Sequence, residues 1–321
     1  MLLSSIVRPL ALAGWFALGA SSLWAAEVSE ARHKVLASDK GHLVQYDADG
    51  EVEWSIQGFG PVHRIQQLTD GHLLTQKNFQ HLVELDEEQS VVWEYNSSKQ
   101  NGNDGKRVEV HAFQRLADGN TMIVENGIGR IIEVDRDGKI VHELKYQVKQ
   151  LNAHRDVRQG RKLENGHYLL CHEADGRVTE YASDGKIVWD YNVPLFDREP
   201  KPGHGPEAWG NQVFNALRLK SGNTLIATGN GHAVIEVTPE KEIVWQLHQN
   251  DLEGITLAWT TTLEVLENGN IILGNCHAGP KNPQLIEVNL KKEVVWTFRD
   301  FEELGDSTAA SATVGGANVQ R

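Results

Sequence analysis

Two short marks recur along this chain and leave it few folds to choose from. An aromatic residue closes phrases of the type "DGKIVW" at Trp54, Trp93, Trp189, Trp245 and Trp296, and His142 fills the slot in "GKIVHEL". Successive slots lie 39, 49, 47, 56 and 51 residues apart. A turn glycine recurs with them, at Gly71, Gly119, Gly166, Gly222 and Gly269. Self-similarity on this scale demands a repeat architecture. Residues 211–248 show what one unit contains: "QVFNALRL", "TLIATGN", "AVIEV" and "IVWQLH" are short and β-rich, with "SGN" and "TPEKE" between them. No segment holds a 3.6-residue period long enough for a helical repeat. The prediction is an all-β, six-bladed β-propeller of four-stranded antiparallel blades. The first unit supplies three strands, "HKVLASD", "HLVQYDADG" and "EVEWSIQ". Ser307–Val314, "STAASATV", is the expected fourth, so that N- and C-terminal strands close the ring and leave no open sheet edge.

Composition narrows the function classes. The 321 residues carry 31 basic and 44 acidic side chains, a net charge of −13, and 40% are hydrophobic. That is globular composition, and the negative balance argues against nucleic acid as a partner. Two cysteines cannot build a disulfide framework; Cys171 and Cys276, in units four and six, read as buried, inert thiols. Residues 1–25 have one cation, Arg8, then an apolar run from Leu10 to Ala20 and small residues, the layout of a secretory signal peptide. The expected organisation is a signal peptide over 1–25, a propeller domain over 26–306 and a closing strand and tail over 307–321. The chain is expected in the periplasm or secreted, as a monomer, with no membrane span once the signal is removed.

The phrases "DADGEVEW", "SDGKIVWDY" and "NTLIATGNGHAVIEV" resemble the repeat of PQQ-like β-propellers, and more closely that of bacterial arylsulfotransferase-type propellers. The resemblance spans most of Ala31–Phe301. It implies a periplasmic, six-bladed protein that passes a sulfuryl group through a channel histidine helped by other histidines and arginine. PQQ-dependent dehydrogenases are similar in repeat, but they are eight-bladed and set an adjacent cysteine pair against the quinone. This chain has no Cys-Cys, so PQQ is not expected as its cofactor.

Candidate site residues follow from repeat phase, because innermost strands line a propeller's axis and equal phase places residues in rings. Eight residues before the turn glycine stand His63, His111, Arg158, Phe214 and Thr261. Six after it stand Lys77, Glu125, His172, Thr228 and Asn275; seven after it, Asn78, Asn126, Glu173, Gly229 and Cys276. Asn230, His232 and His277 fall close by, and six of the 14 histidines (His63, His111, His154, His172, His232 and His277) share this region. Such a cluster suits an anionic group held by Arg158, or a divalent metal held by neutral imidazoles. The expected catalytic set is His63, His111, Arg158 and His172. Glu125, Arg130, His154, Glu173, Asn230, His232, Asn275 and His277 are expected around a small anionic or carbohydrate-like ligand. Glu125 and Arg130 also read as a salt bridge across their hairpin.

The longest inter-blade segment, 191–211, is stiffened by four prolines and carries His204, Glu207 and Trp209. It reads as a lid or wall over the mouth. A second insertion, Ser97–Lys106, reads as flexible decoration. Turns such as Asp47–Gly50 and Asp135–Gly138 resemble calcium loops but lack their spacing, and read as turn chemistry. The sequence leaves three functions open: group transfer of the arylsulfotransferase kind, a metal-dependent lyase or hydrolase on the same face, and a non-catalytic binding or scaffold propeller.

Overall fold

The computed structural model describes residues 32–60, 62–307 and 312–314. The signal peptide expected over 1–25, and the tail apart from Ser307 and Ala312–Val314, lie outside the described residues. Among the described residues there are no helices, and the strands form six four-stranded antiparallel sheets. The sheets are the six blades of a β-propeller. No helix among them is long and apolar enough to cross a membrane.

Blades 2 to 6 each run outward from the axis in chain order. In blade 4, for example, Gly160–Lys162 pairs with Tyr168–His172, then Arg177–Tyr181, then Ile187–Asn192. Blade 1 is completed by the C-terminal strand Ala312–Val314, which pairs Val35 with Val314, Leu36 with Thr313 and Ala37 with Ala312. The neighbouring blade grips the same strand: Thr313 Oγ1 donates to Glu264 Oε1 at 2.5 Å, and the Val314 amide to Glu264 Oε2 at 3.2 Å.

Blade chemistry repeats with the sequence. The aromatic slot of each outer strand faces an acidic or amide residue of the third strand: Glu84 opposite Trp93, Glu180 opposite Trp189, Glu236 opposite Trp245. A register shift follows that pair in every blade, so one extra residue fits before the turn. The indoles tie blade to blade: Trp93, Trp189 and Trp245 each donate Nε1–H to a carbonyl of the next blade, those of Arg136, Pro239 and Leu290. At three junctions a cation of the next inner strand reaches back to the third-strand carboxylate, as Arg115 to Glu84, Lys162 to Glu133 and Arg218 to Glu180. Arg115 and Arg218 lie over the Trp93 and Trp189 rings at 4.6 and 4.8 Å.

Apolar burial lies in the seams. Six large clusters each join two neighbouring blades; Leu225, Leu247, Leu263 and Leu273, for instance, unite blades 5 and 6. The Asp turns behave as turn chemistry: Asp47 Oδ1 accepts the amides of Asp49 and Glu51, and Asp135 Oδ1 those of Asp137 and Lys139. The Ser97–Lys106 insertion differs from its reading as flexible decoration. Asn103 is fully buried and its amide donates to Ser97 O and Glu125 Oε1, which pins the segment to blade 3.

Candidate functional site

Eight residues before the turn glycine, regular pairing of the inner strand is broken or not yet begun in every blade where that phase can be counted, although the Arg158 and Phe214 amides still donate to Cys171 O and Ala227 O. In blades 3 and 6 the ladder is interrupted between Val110 and Phe113 and between Thr260 and Leu263, where His111 and Thr261 sit. In blades 2, 4 and 5 the inner strand begins only at Ile65, Gly160 and Asn215, just after His63, Arg158 and Phe214. An irregular backbone re-aims side chains. A cavity of about 630 Å³ lies over these positions, and His63, Arg158, Phe214 and Thr261 line it.

At its floor a chain of groups converges. Glu109 Oε2 lies 2.8 Å from His154 Nδ1 and 3.2 Å from His111 Nε2. His111 Nδ1 lies 2.6 Å from His63 Nδ1, and His111 is fully buried. Arg158 places Nη1 3.3 Å from both ring nitrogens of His63 and donates Nε–H to Glu173 Oε2 at 2.6 Å. Phe79 stacks on His63 with centroids 5.0 Å apart. Burial, reinforced by the Arg158 charge, holds His63 well below the usual histidine range. Burial also takes His111 down to about 3, against the opposing pull of Glu109. Hydrogen bonds, first from His111, bring the Glu109 carboxyl down to about 2. The floor therefore holds neutral imidazoles beside an ionised carboxylate at neutral pH.

The segment 191–211 forms a wall. Lys201 and Trp209 bridge to each other, Trp209 Nε1 donates to Leu195 O at 2.9 Å, and Arg198 lies 3.4 Å over the indole. His204 stacks on Trp259 at 5.1 Å and meets His277 edge-on at the same distance. The base of the wall passes so close to blade 5 that Gly229, at φ 61°, has no room for a side chain: a Cβ would meet Gln212 O at 2.0 Å.

Among the residues expected here, His63, Arg158, His154, Glu173, His204, Trp209, Asn230 and His277 line the cavity. His111 stands directly behind His63. The others are placed elsewhere. His172 is buried in blade 4, its Nε2 3.0 Å from the Tyr181 hydroxyl, and burial lowers it to about 3. Glu125 accepts from Arg130 Nε at 2.6 Å, the hairpin salt bridge, inside blade 3. His232 turns its Nε2 to Ala208 O at 2.7 Å under the wall. Asn275 bonds the backbone of Ala258 and Thr256. Glu207 is exposed on the wall and does not line the cavity. Phase counting alone overlooked Glu109, although Glu109 and His111 stand two apart in "EVH". Trp259 was likewise passed over.

Among the described residues, two groups of side chains have the spacing of metal ligands. In Glu109, His111 and His154 the ligand atoms all lie within 4.8 Å of one another; Asp70, His72 and Glu84 meet the same limit. In the second, Glu84 is already engaged by Arg115 and Arg136. Both cysteines are free and buried, and burial pushes the Cys171 thiol up to about 12.

Among solved structures, the chain is similar to a protein of unknown function from Bacteroides caccae, at 20% identity and TM-score 0.71 over 88% of this chain and 98% of that one. It is also similar to a streptogramin B lyase, at 11% identity and TM-score 0.55 over 84% of each chain. Catalytically inactive virginiamycin B lyase from Staphylococcus aureus with quinupristin aligns at 11% identity and TM-score 0.54, over 85% of this chain and 87% of that one. At these identities the likeness is one of fold. No curated protein matches in sequence. A family model described as outer membrane protein assembly factor BamB matches residues 17–149 and 70–298, together most of the chain. With its six four-stranded blades and their repeated aromatic slots, the chain belongs to this family of PQQ-like β-propeller repeat proteins.

Proposed function

We propose that the chain is an exported propeller that binds a small anionic, aromatic-bearing ligand at its channel mouth and transfers a group through His63, in the manner of arylsulfotransferase-like propellers. The observation that carries this reading is the run Glu109–His111–His63 beside Arg158. Glu109 Oε2 lies 3.2 Å from His111 Nε2 but off the line of a hydrogen bond, so its negative charge, not a bond, favours the proton on that nitrogen; His111 then offers the Nδ1 lone pair to His63 Nδ1–H. His63 Nε2 is left unprotonated, the form a nucleophile needs, with Arg158 Nη1 3.3 Å from it. With an aryl sulfate, Nε2 attacks sulfur and the sulfur–oxygen bond to the ring breaks. The aryloxide departs and takes a proton from water. An acceptor hydroxyl then attacks the sulfuryl-imidazole, loses its proton to solvent and frees the histidine. Arg158 supplies positive charge beside the reacting group, and Trp209, Phe214 and Trp259 offer aromatic faces.

The test is intact-mass analysis of the purified protein after incubation with 4-nitrophenyl sulfate. The expected result is a gain of one sulfuryl group, lost in His63→Ala and slowed by at least tenfold in Glu109→Gln. Neither adduct nor nitrophenol release, with and without a phenol acceptor, would overturn it.

Glu109, His111 and His154 support a second reading, a divalent ion serving a lyase or hydrolase. Their separations of 2.8 and 3.2 Å are shorter than the edge of about 3.3–3.4 Å expected between tetrahedral ligands about 2.0–2.1 Å from one zinc ion, so an ion would have to spread the Glu109–His154 pair. The two readings exclude each other at His63. An ion would take the His111 Nε2 lone pair, force the proton onto Nδ1 and leave His63 Nε2 protonated. Native mass spectrometry separates them: one retained ion favours the second.

A further inference from the structure

Below His63, on the side of the channel away from the mouth, two arginines share a small cavity with no ion-pair partner to neutralise them. Arg64 and Arg161 line a space of about 70 Å³ together with Gln66, Gln159, Asn215 and Glu264. Arg64 spends Nη1 on Gln159 Oε1 at 3.1 Å, and Arg161 spends Nη2 on Asn215 Oδ1, also at 3.1 Å. The Nε–H of each is buried and has no partner. Among the described residues neither guanidinium makes an ion pair. Glu264, the carboxyl that shares the cavity, is occupied by Thr313 and Val314 of the closing strand.

Both arginines are half-buried, with the Nε–H of each shielded from solvent, and charge withdrawn from water is costly unless compensated. Burial, with the charge of Arg161 adding to it, pushes Arg64 down to about 9, and burial takes Arg161 to about 10. Both remain cations at neutral pH. Burial pushes Glu264 up to about 7, so it offsets only part of that charge.

We propose that Arg64 and Arg161 form an inner-channel site for a tetrahedral oxyanion, sulfate or phosphate. The planar forks of arginine match such an ion, and the Asn215 amide can add a donor, while those of Gln66 and Gln159 are engaged by the carbonyls of Arg115 and His63. The space, about 70 Å³, has room for an inorganic oxyanion. The site draws on blades 2, 4, 5 and 6 and lies against the closing strand, so its ion ties the ring across the axis. It stands independently of the chemistry proposed for His63.

Calorimetric titration of the whole protein with sodium sulfate and sodium phosphate, at ionic strength fixed with chloride, tests it. One saturable site is expected, weakened at least tenfold by Arg161→Gln and by Arg64→Gln, with Arg158→Gln leaving it within twofold. Binding that disappears in Arg158→Gln and survives in Arg161→Gln would put the ion at the mouth and overturn the assignment. So would saturation by acetate and not sulfate, or no saturable heat. Should the arginine variants fail to fold, selenate soaked into wild-type crystals decides: anomalous density between the two guanidiniums supports the site, and its absence there refutes it.

Discussion

At the scale of single residues, direction decides role more than identity does. Glu125 and Glu173 stand one phase apart in their repeats, yet Glu125 bonds Arg130 inside a blade while Glu173 lines the cavity and receives Arg158. Side chains alternate across a strand, so neighbouring phases face opposite ways, and counting both into one ring merged two surfaces. His172 and Asn275 fell on the inward side with Glu125. The ring of His63, His111, Arg158, Phe214 and Thr261 was readable because it rests on one phase, whereas Arg64 and Arg161, a little further along, carry no repeated residue type. The pH response follows from these placements. His63 and His111 are held below an unfolded value of 6.5, so the unfolded chain binds more protons than the native one beneath it. Their contribution to stability is complete above about pH 6.5 and is lost as pH falls toward their native values. Urea unfolding at pH 7.5 and 5.0 should show wild type losing more stability on acidification than His111→Gln; equal losses would contradict the burial argument.

Among elements, the outer strand of each blade acts as a fastener rather than as an edge. Its aromatic slot meets a third-strand residue within the blade and, at three seams, a carbonyl of the next blade. This was legible in sequence, because the slot follows the turn glycine by 22 or 23 residues in blades 2 to 5 even where the spacing between blades varies, and by 27 in blade 6. The inter-blade cations were not, since Arg115, Lys162 and Arg218 gain meaning only once blades are adjacent. Trp189→Phe keeps most of the apolar contact and removes the bond to Pro239 O, so a loss of about 0.5–1 kcal/mol is expected in equilibrium unfolding. Leu225→Ala, in the seam of blades 5 and 6, should cost about 2–5 kcal/mol by the same measurement.

For the molecule as a whole, stability is shared among six seams and depends on the ring staying shut. Glu264 holds the closing strand, and burial raises its carboxyl to about 7 from an ordinary 4.5. Between those values the native state binds more protons than the unfolded chain, so this residue makes stability fall as pH rises, by roughly 3 kcal/mol at most across the window. The slope opposes that of the histidines, and single variants separate the two: Glu264→Gln should steepen the net loss on acidification, and His111→Gln should flatten it. The clasp also has a mechanical consequence. Val35 pairs with Val314, so the chain leaves the two closing strands at the same end of a ladder only three rungs long. A pull applied through those flanks loads one rung at a time, as a zipper is loaded, instead of shearing all three together. The ring should therefore yield to tension first at blade 1, while the remaining blades, each a hairpin stack of continuous chain, are still intact.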